Sequence, residues 1–280
     1  MMEIESTRKV KSANIHLDGR CNYHCAHCFD TCLPKKCMKP DDWKMHLEYL
    51  RSIGVTKINL AGGEPFLYPY LNEICETVKN MGFTVSIVSN GSLITKEKIK
   101  SLAKNVSWLG LSIDSPDEKD EIIIGRNSGN GCHLKHIIDV SDWAHACGMK
   151  VKLNITVVKQ SWNKDFHELI ARVKPERIKA FRALTLKNAN DDRPDTWSIS
   201  DEEYKQFREK HQEIPEMVFE DNSDMVGTYL MFDPLGKWMV NNNQEKRFLP
   251  FEQLRRDGLD SRIDIDRYYA RNGVYCWDVE

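Results

Sequence analysis

The sequence predicts an α/β fold built on a parallel sheet. Short apolar runs rich in β-branched residues alternate six times with longer stretches of helical periodicity. Neighbouring parallel strands need a crossover connection, which a helix supplies. Six such units are too few for a closed eight-stranded barrel, so a partial barrel and a doubly wound sheet both remain. A chain of 280 residues suits one such domain better than several small ones.

The predicted elements follow from these runs and from the residues that bound them. Strands are predicted at 14–18, 57–61, 84–89, 107–113, 150–158 and 178–186. Helices are predicted between them, at 41–53, 69–81, 95–104, 131–147 and 163–173. Asp41 and Thr95 stand where an N-cap belongs, and Gly54, Gly82 and Gly148 stand where a helix should end.

The pattern changes after residue 187. A loop at 187–198 precedes a predicted helix at 200–212, and apolar runs on either side of a Pro-Leu-Gly turn predict a hairpin within 228–241. We therefore expect a core over 1–187 and a C-terminal extension over 188–280. The extension should cover the open end of the core, so that both parts form one structural unit.

Composition and charge exclude several classes of function. Lys and Arg total 40 against 42 Asp and Glu, and a net charge of −2 argues against a general nucleic-acid binder. Because no apolar run approaches the ~20 residues that span a bilayer, we expect no membrane-spanning helix. The N-terminal stretch shows neither a signal-like apolar segment nor an amphipathic anchor, which favours a cytoplasmic protein.

The cysteines carry the clearest chemical signal. Five of the nine fall between Cys21 and Cys37, which indicates metal or redox chemistry rather than a disulfide framework. Cys21, Cys25 and Cys28 follow the first strand, at the end where parallel α/β folds place their chemistry. Three thiolates can hold three irons of a [4Fe–4S] cluster and leave the fourth iron open.

A structural zinc site is the alternative, and it requires a fourth protein ligand. The neighbouring residues that offer one are His24, His27, Cys32 and Cys37. Spacing favours the cluster but leaves zinc open. Three other cysteines lie in helical patterns and are predicted to be buried apolar side chains: Cys75, Cys132 and Cys147.

The cysteine triad followed by AGGEP at 61–65 resembles the radical S-adenosylmethionine (SAM) superfamily. In that superfamily the open iron chelates the amino and carboxylate groups of SAM, and a glycine-rich turn after the second strand contacts the amino group. Gly62 and Gly63 would let the backbone approach this ligand, and Glu64 could pair with its ammonium. The resemblance implies a partial (βα)6 barrel, a [4Fe–4S] cluster and bound SAM.

A more specific resemblance runs from Asn14 through nearly the whole chain. CNYHC, KINLAGGEPFL, VSIVSNGSLI, KLNITVV and RIKAFRALTL are similar to segments of the viperin-like enzymes, nearer to the prokaryotic than to the vertebrate members. The resemblance implies conversion of a ribonucleoside triphosphate to its 3′-deoxy-3′,4′-didehydro analogue, a chain terminator in antiviral defence. A 5′-deoxyadenosyl radical would remove the C4′ hydrogen, and water would then leave. CTP is the first substrate expected, with UTP or GTP as alternatives.

The same resemblance assigns residues to the cofactor. Ser112 and Arg126 would contact the methionine carboxylate of SAM, and a guanidinium can bind a carboxylate through two hydrogen bonds. Asn90 would lie near SAM, and His27 stands where the superfamily commonly has an aromatic residue that holds the adenine. Considered alone, Arg126 would instead be a surface residue of a loop.

The substrate residues are assigned in the same way. A nucleoside triphosphate carries about four negative charges, so its pocket needs several converging cations. The resemblance gives Lys57, Lys152, Arg177 and Lys179 for the triphosphate, and Asn14, Asn59 and Asn154 for ribose or base. Tyr229 would lie near the ribose and assist proton movement. Considered alone, the strand lysines could lie on an outer face with only their stems buried, and Tyr229 could be a half-buried strand residue.

Two departures from the family leave the base preference open. Ala61 stands where the family has a serine that contacts phosphate, and Asp30 stands where it has a histidine. Cys276-Trp277 resembles the C-terminal tryptophan that cluster-delivery proteins recognise, although three residues follow it here. The resemblance also implies a monomer that works with cluster-assembly proteins and with a flavodoxin- or ferredoxin-like electron donor.

Two other functions are considered. Another radical SAM enzyme, such as a molybdenum-cofactor cyclase or a peptide modifier, usually carries further cysteines in its C-terminal region. Here only Cys276 follows residue 147. A non-catalytic iron–sulfur or zinc protein would explain the cysteine triad, but it would explain neither the GGEP turn nor the lysines within strands.

Overall fold

A computed structural model describes residues 8–127, 132–259 and 262–277. Strands in this part of the chain are β1 (Ser12–His16), β2 (Lys57–Ala61), β3 (Thr84–Ser89), β4 (Trp108–Ser112), β5 (Lys150–Val157), β6 (Arg177–Arg182), β7 (Met217–Glu220), β8 (Met231–Phe232), β9 (Trp238–Val240) and β10 (Arg247–Leu249). They form one sheet in the order β10-β9-β8-β1-β2-β3-β4-β5-β6-β7. Neighbours from β8 through β1 to β7 pair in parallel, whereas β8, β9 and β10 pair antiparallel.

The strand order distinguishes the two architectures that the sequence left open. A doubly wound sheet reverses its strand order at a switch point. Here β1 to β7 follow one another without reversal, as they do in a barrel, and the sheet ends at β7 and β10 instead of closing. The predicted partial barrel of six core strands is therefore confirmed, with added strands at both edges.

Helices of the described residues connect and flank these strands. They are α1 (Lys44–Ser52), α2 (Leu71–Asn80), α3 (Lys96–Leu102), α4 (Glu118–Ile124), α5 (His133–Ala146), α6 (His167–Val173), α7 (Asp201–His211), α8 (Asn222–Met225), α9 (Phe251–Asp257) and α10 (Ile265–Ala270). None of the described helices combines the length and apolar character needed to cross a membrane. The helix predicted at 131–147 begins at residue 131, which lies outside the described residues.

Most boundary residues act as the sequence predicts. The Thr95 side chain accepts a hydrogen bond from Lys98 N at the start of α3, and Gly54, Gly82 and Gly148 follow helix ends with φ of 94°, 86° and 75°. Asp41 is not an N-cap. It lies inside a short 3₁₀ turn (Pro40–Trp43) that runs directly into α1, because a proline can open such a turn.

The remaining cysteines divide by position. Cys75 is fully buried within α2, as predicted, but Cys147 is only half-buried and Cys132 is exposed. The prediction for Cys132 is wrong because this residue precedes α5 and does not lie on its packed face.

The C-terminal extension curls the sheet around an interior. Glu220 ends β7 at one edge, while Tyr229 lies two residues before β8, on the other side of the core strands. The Tyr229 hydroxyl nevertheless donates a hydrogen bond to Glu220, and Arg271 lies 3.3 Å from the same carboxylate. These contacts across the interior bring β7 close to the chain that leads into β8.

The segment after α10 covers the amino ends of the core strands. Arg177, the first residue of β6, donates to Asn272 O at 2.9 Å, and Trp108, the first residue of β4, donates to Trp277 O at 2.8 Å. Trp277 is buried by these contacts, so its indole is not presented for recognition by another protein. The extension thus closes the end of the barrel opposite the cysteines.

The cysteine loop after β1 is bound on one flank by the turn after β2. Gly63 N donates to Asp18 O at 2.7 Å, and Glu64 N donates to Arg20 O at 2.8 Å. A Cβ atom on Gly63 would collide with the carbonyl oxygen of Arg20. The two loops can approach this closely only because Gly63 has no side chain.

The other flank of the loop is bound by the turn after α4. His24 N donates to Gly125 O at 3.1 Å, and Ala26 N donates to Ile124 O at 2.9 Å. Gly125 has φ +84°, and a Cβ atom there would collide with His24 O. Backbone hydrogen bonds therefore fix the cysteine loop from both sides.

We predict that Gly125→Ala disrupts the cysteine loop, whereas Gly148→Ala serves as its matched control. Both glycines have positive φ, but nothing lies within 4 Å of a Cβ atom on Gly148. Each substitution should cost about 1 kcal/mol of backbone strain. Gly125→Ala should lower the unfolding temperature further and reduce iron bound per chain after reconstitution. Equal iron content and equal unfolding temperatures in the two variants would contradict this account.

Candidate active site

The curled sheet encloses a cavity of about 330 Å³. Alternate residues of the core strands face it, as the pleat requires, including Lys152 and Asn154 of β5. The residues between them, such as Leu153 and Ile155, are fully buried in the apolar core. Lys57, Lys152 and Lys179 therefore face the interior, and the alternative of an outer position is wrong for Lys152 and Lys179.

Most of the predicted site residues line this single cavity. They are Asn14, Cys21, Cys25, His27, Cys28, Lys57, Asn59, Gly62, Gly63, Asn90, Ser112, Arg126, Lys152, Asn154, Lys179 and Tyr229. Strand register explains part of this convergence, because Asn14 pairs with Asn59 and Asn154 pairs with Lys179. Glu64 and Arg177 do not lie on the cavity wall.

Glu64 is fully buried and serves the loops around the site. Its Oε1 accepts from Phe66 N at 3.0 Å and from Ser89 Oγ at 2.7 Å, and its Oε2 accepts from Asn90 N at 2.8 Å. Burial raises the pKa of this carboxyl. Glu64 thus ties the turn after β2 to the end of β3 and places Asn90, while its contact with SAM stays a prediction.

The neighbouring glycines also have a role that the sequence did not reveal. A Cβ atom on Gly62 would lie 2.6 Å from Asp18 O. The backbone of the cysteine loop therefore packs where side chains of Gly62 and Gly63 would lie. Both glycines also border the cavity.

Arg177 holds the C-terminal segment. Its guanidinium lies 3.9 Å from the centre of the Tyr275 ring, in addition to its hydrogen bond with Asn272. This position explains why a cation stands at the first residue of β6. A contact between Arg177 and phosphate stays a prediction.

The three loop cysteines suit a cluster better than a zinc ion. Cys21 is exposed, and Cys25 and Cys28 are half-buried. Ligand sulfurs around tetrahedral zinc lie about 3.8 Å apart. Among the described residues, one group places three possible ligand atoms within 4.8 Å of one another: Asp165, His167 and His211. The three loop cysteines do not form such a group. The thiols are spread more widely, as separate irons of one cluster require.

Two of the four residues proposed as a fourth zinc ligand, His27 and Cys32, contact other groups. His27 Nε2 lies 3.4 Å from Asp114 and 3.4 Å from Arg126. Burial lowers the pKa of His27 to about 4, so its ring is neutral. Cys32 is exposed and contacts Phe29 O at 3.8 Å. The donor set thus fits a [4Fe–4S] cluster.

A buried ion pair places a fixed cation beside the cysteine loop. Arg126 donates from Nε to Asp114, whose other oxygen accepts from Thr156 N at 2.7 Å. Burial opposes the charge of Arg126, but Asp114 more than compensates and raises the pKa of the guanidinium. Arg126 is therefore held in place, charged and facing the cavity, as a group that binds a carboxylate must be.

A cationic group of four residues occupies the part of the cavity next to β5, β6 and the C-terminal segment. Its members are Lys57, Lys152, Lys179 and Arg271, and all are buried. Lys179 and Arg271 share the Glu220 carboxylate. The Lys152 ammonium forms no hydrogen bond or ion pair with any described residue, and Lys57 lies in a cage of aromatic rings rather than beside a carboxylate. Two of the four cations thus share one carboxylate, and the other two have none.

Burial depresses the basicity of this group. It lowers the pKa of Lys152 to about 7 and that of Lys179 to about 8, and neighbouring cations add to the effect at Lys152. Burial also lowers the pKa of Lys57 well below its usual value. Holding unneutralised ammonium groups away from water is unfavourable. An anionic ligand would supply the missing charge.

Sequence reasoning missed several residues of this site. Asp114 and Glu220 hold the cations in place, and Arg271 itself reaches the cavity from the C-terminal segment. Lys246, which directly precedes β10, also lines the cavity. Its ammonium donates to Phe29 O at 2.9 Å and to Asp30 at 2.5 Å. Asp114 directly follows the predicted fourth strand and could have been found there. Nothing in the local sequence marks Arg271 or Lys246.

Comparison with known proteins identifies the family of this chain. The model of the radical SAM superfamily matches residues 17–173. An S-adenosylmethionine-dependent nucleotide dehydratase of Thermoplasmatales archaeon (strain ISO4-H5) is 59% identical over 98% of this chain and 99% of its own length. A protein of the same name from Flammeovirga pacifica is 30% identical, with 96% of each chain covered.

Solved structures agree on the fold. Streptococcus suis SuiB bound to S-adenosylmethionine superposes with a TM-score of 0.66 at 17% identity, over 94% of this chain and 68% of that chain. The chain therefore belongs to the radical SAM superfamily and, within it, to the S-adenosylmethionine-dependent nucleotide dehydratases.

Proposed function

We propose that the protein converts a ribonucleoside triphosphate into its 3′-deoxy-3′,4′-didehydro analogue. CTP is the first candidate, with UTP and GTP as alternatives, and the product would act as a chain terminator in antiviral defence. The observation that carries the proposal is the single cavity shared by the three cysteines and the cationic group. Four buried cations, of which only Lys179 and Arg271 pair with a carboxylate, suit a triphosphate better than a neutral ligand or a peptide.

The enzyme's cofactors are a [4Fe–4S] cluster and SAM. When bound, they supply a 5′-deoxyadenosyl radical for removal of the C4′ hydrogen. Cys21, Cys25 and Cys28 would hold the cluster, and Arg126 would bind the carboxylate of SAM. With two electrons and one proton, nucleotide and SAM would give the didehydro nucleotide, water, methionine and 5′-deoxyadenosine.

Unpartnered polar atoms favour a ribose between the two ends of the cavity. Asn59 Oδ1 and Asn154 Oδ1 are buried without a hydrogen-bond partner among the described residues. Asn59 Nδ2 donates to Asn14 Oδ1 at 2.9 Å, which orients both amides. Buried acceptors of this kind need donors, and sugar hydroxyls or a base amino group would supply them.

Tyr229 and Lys179 are the candidates for proton movement at the ribose. The Tyr229 hydroxyl donates to Glu220 and lies 3.4 Å from Lys179 Nζ. Burial raises the pKa of Tyr229 well above its usual value, so the phenol keeps its proton. Lys179, with a pKa lowered to about 8, is the stronger acid of the pair and would deliver the proton to the departing 3′-hydroxyl, while Tyr229 and Glu220 hold its ammonium in place.

Turnover with single nucleotides tests the function. Reconstituted enzyme, SAM and dithionite are incubated anaerobically with each of the four ribonucleoside triphosphates, and both products are followed by mass. We expect one triphosphate to stimulate 5′-deoxyadenosine formation and to yield a nucleotide lighter by one water. SAM cleavage that no triphosphate stimulates would contradict the proposal.

We predict that Lys152→Met raises KM for the nucleotide by about tenfold or more, because one charge-assisted contact contributes roughly 1.5–3 kcal/mol. Methionine keeps the length and apolar stem of the side chain. Lys79→Met, an exposed position on α2, should leave KM unchanged. An unaltered KM in Lys152→Met would exclude this lysine from the triphosphate site.

Affinity for the nucleotide should fall as pH rises above about 7. The pKa of Lys152 is about 7 and that of Lys179 about 8 in the free enzyme. Below these values both are ammonium ions, whereas above them a proton must be taken up on binding. We therefore expect kcat/KM to decline between pH 7 and 9, with a smaller decline in Lys152→Met. A flat profile over this range would disagree with the assignment.

A further inference from the structure

The exposed cysteine of the loop lies beside a small apolar surface. Phe66 and Leu67, in the 3₁₀ turn after GGEP, are both half-buried. Arg20, the residue before Cys21, donates to Leu67 O at 3.3 Å. The apolar pair is thus next to the corner of the site through which the cluster would be most accessible.

Cations lie beside this apolar pair. Lys98 Nζ lies 5.5 Å from the centre of the Phe66 ring. Pro34 O accepts from Gly19 N at 3.1 Å, so the exposed Lys35 and Lys36 emerge beside Arg20. We call Arg20, Lys35, Lys36, Phe66, Leu67 and Lys98 the basic face.

The charge of the basic face is largely unneutralised. Arg20 pairs with Asp18, but in the described part of the chain Lys35, Lys36 and Lys98 form no ion pair with a carboxylate. The whole chain has a net charge of −2, so this concentration of positive charge is local. An apolar centre with a cationic rim is the surface that an acidic protein partner fits.

The opposite flank of the cysteine loop is apolar. Ile122 and Ile123 of α4 are exposed, at 45% and 65%. Of the acidic residues in the first turn of this helix, Glu121 is fully buried and Asp120 pairs with Lys164. This flank therefore offers an acidic partner no group of unpaired cations comparable to the basic face.

We propose that an acidic carrier protein with a one-electron cofactor, of the flavodoxin or ferredoxin class, docks on the basic face. One electron passes from the reduced carrier to the cluster at the Cys21 corner. The carrier is oxidised by one electron, the cluster is reduced by one, and no bond or proton is exchanged. The inference rests on the proposed function, because it names the electron source for the same site.

The test compares two electron sources in the reconstituted holoenzyme. Lys35→Glu, Lys36→Glu and Lys98→Glu are combined in one variant, and Lys119→Glu on α4 is the matched control across the loop. With reduced flavodoxin we expect turnover in the triple variant to fall at least tenfold, because steering by opposite charges accelerates association by one to three orders of magnitude. With dithionite, which needs no docking, the triple variant should match the wild type.

Salt and direct cluster reduction complete the test. Raising the ionic strength should slow the flavodoxin-driven reaction of the wild type but not that of the triple variant. Bleaching of the cluster by reduced flavodoxin needs no nucleotide, so it reports on docking even if no triphosphate is a substrate. Bleaching of the triple variant at the wild-type rate, or equal slowing by Lys119→Glu, would overturn the proposal.

Discussion

The position of the cysteine loop depends on close backbone contact with two neighbouring turns. Gly63 and Gly125 stand where any Cβ atom would collide with Arg20 or His24. Hydrogen bonds on both flanks then fix the loop that carries the three thiols. Arg126 directly follows Gly125, so the contact that positions the loop also positions the guanidinium beside it. The cysteine loop and Arg126 thus take their positions because Gly63 and Gly125 have no side chains.

The other end of the cavity is organised by charge. Lys152 and Lys57 are held in the interior without a carboxylate, and Lys179 and Arg271 share Glu220. This arrangement costs free energy in the unliganded protein, as the lowered lysine pKa values show. A bound polyanion recovers that free energy. The cavity is therefore built to be completed by its ligand, and the C-terminal segment keeps water away from its base.

The periodicity of the sequence predicted the core strands and most of the helices between them. The βα repeat predicted the core strands within a few residues, but Lys152 and Asn154 of β5 were assigned to the substrate by resemblance and not by their alternation. Helix α4 was missed although it is as long as the predicted helices α3 and α6. Strands β7 and β10 were missed because they are edge additions of four and three residues. Arg271, Lys246 and the inward position of Glu64 depend on contacts between distant segments, which no periodicity encodes.

The central claim is that the cations hold the nucleotide so that its ribose faces the cofactor end of the cavity. Transfer of deuterium from a nucleoside triphosphate labelled at C4′ measures this directly. The account predicts that 5′-deoxyadenosine carries one deuterium and that the didehydro nucleotide carries none. Unlabelled 5′-deoxyadenosine, with the label retained in the nucleotide, would contradict it.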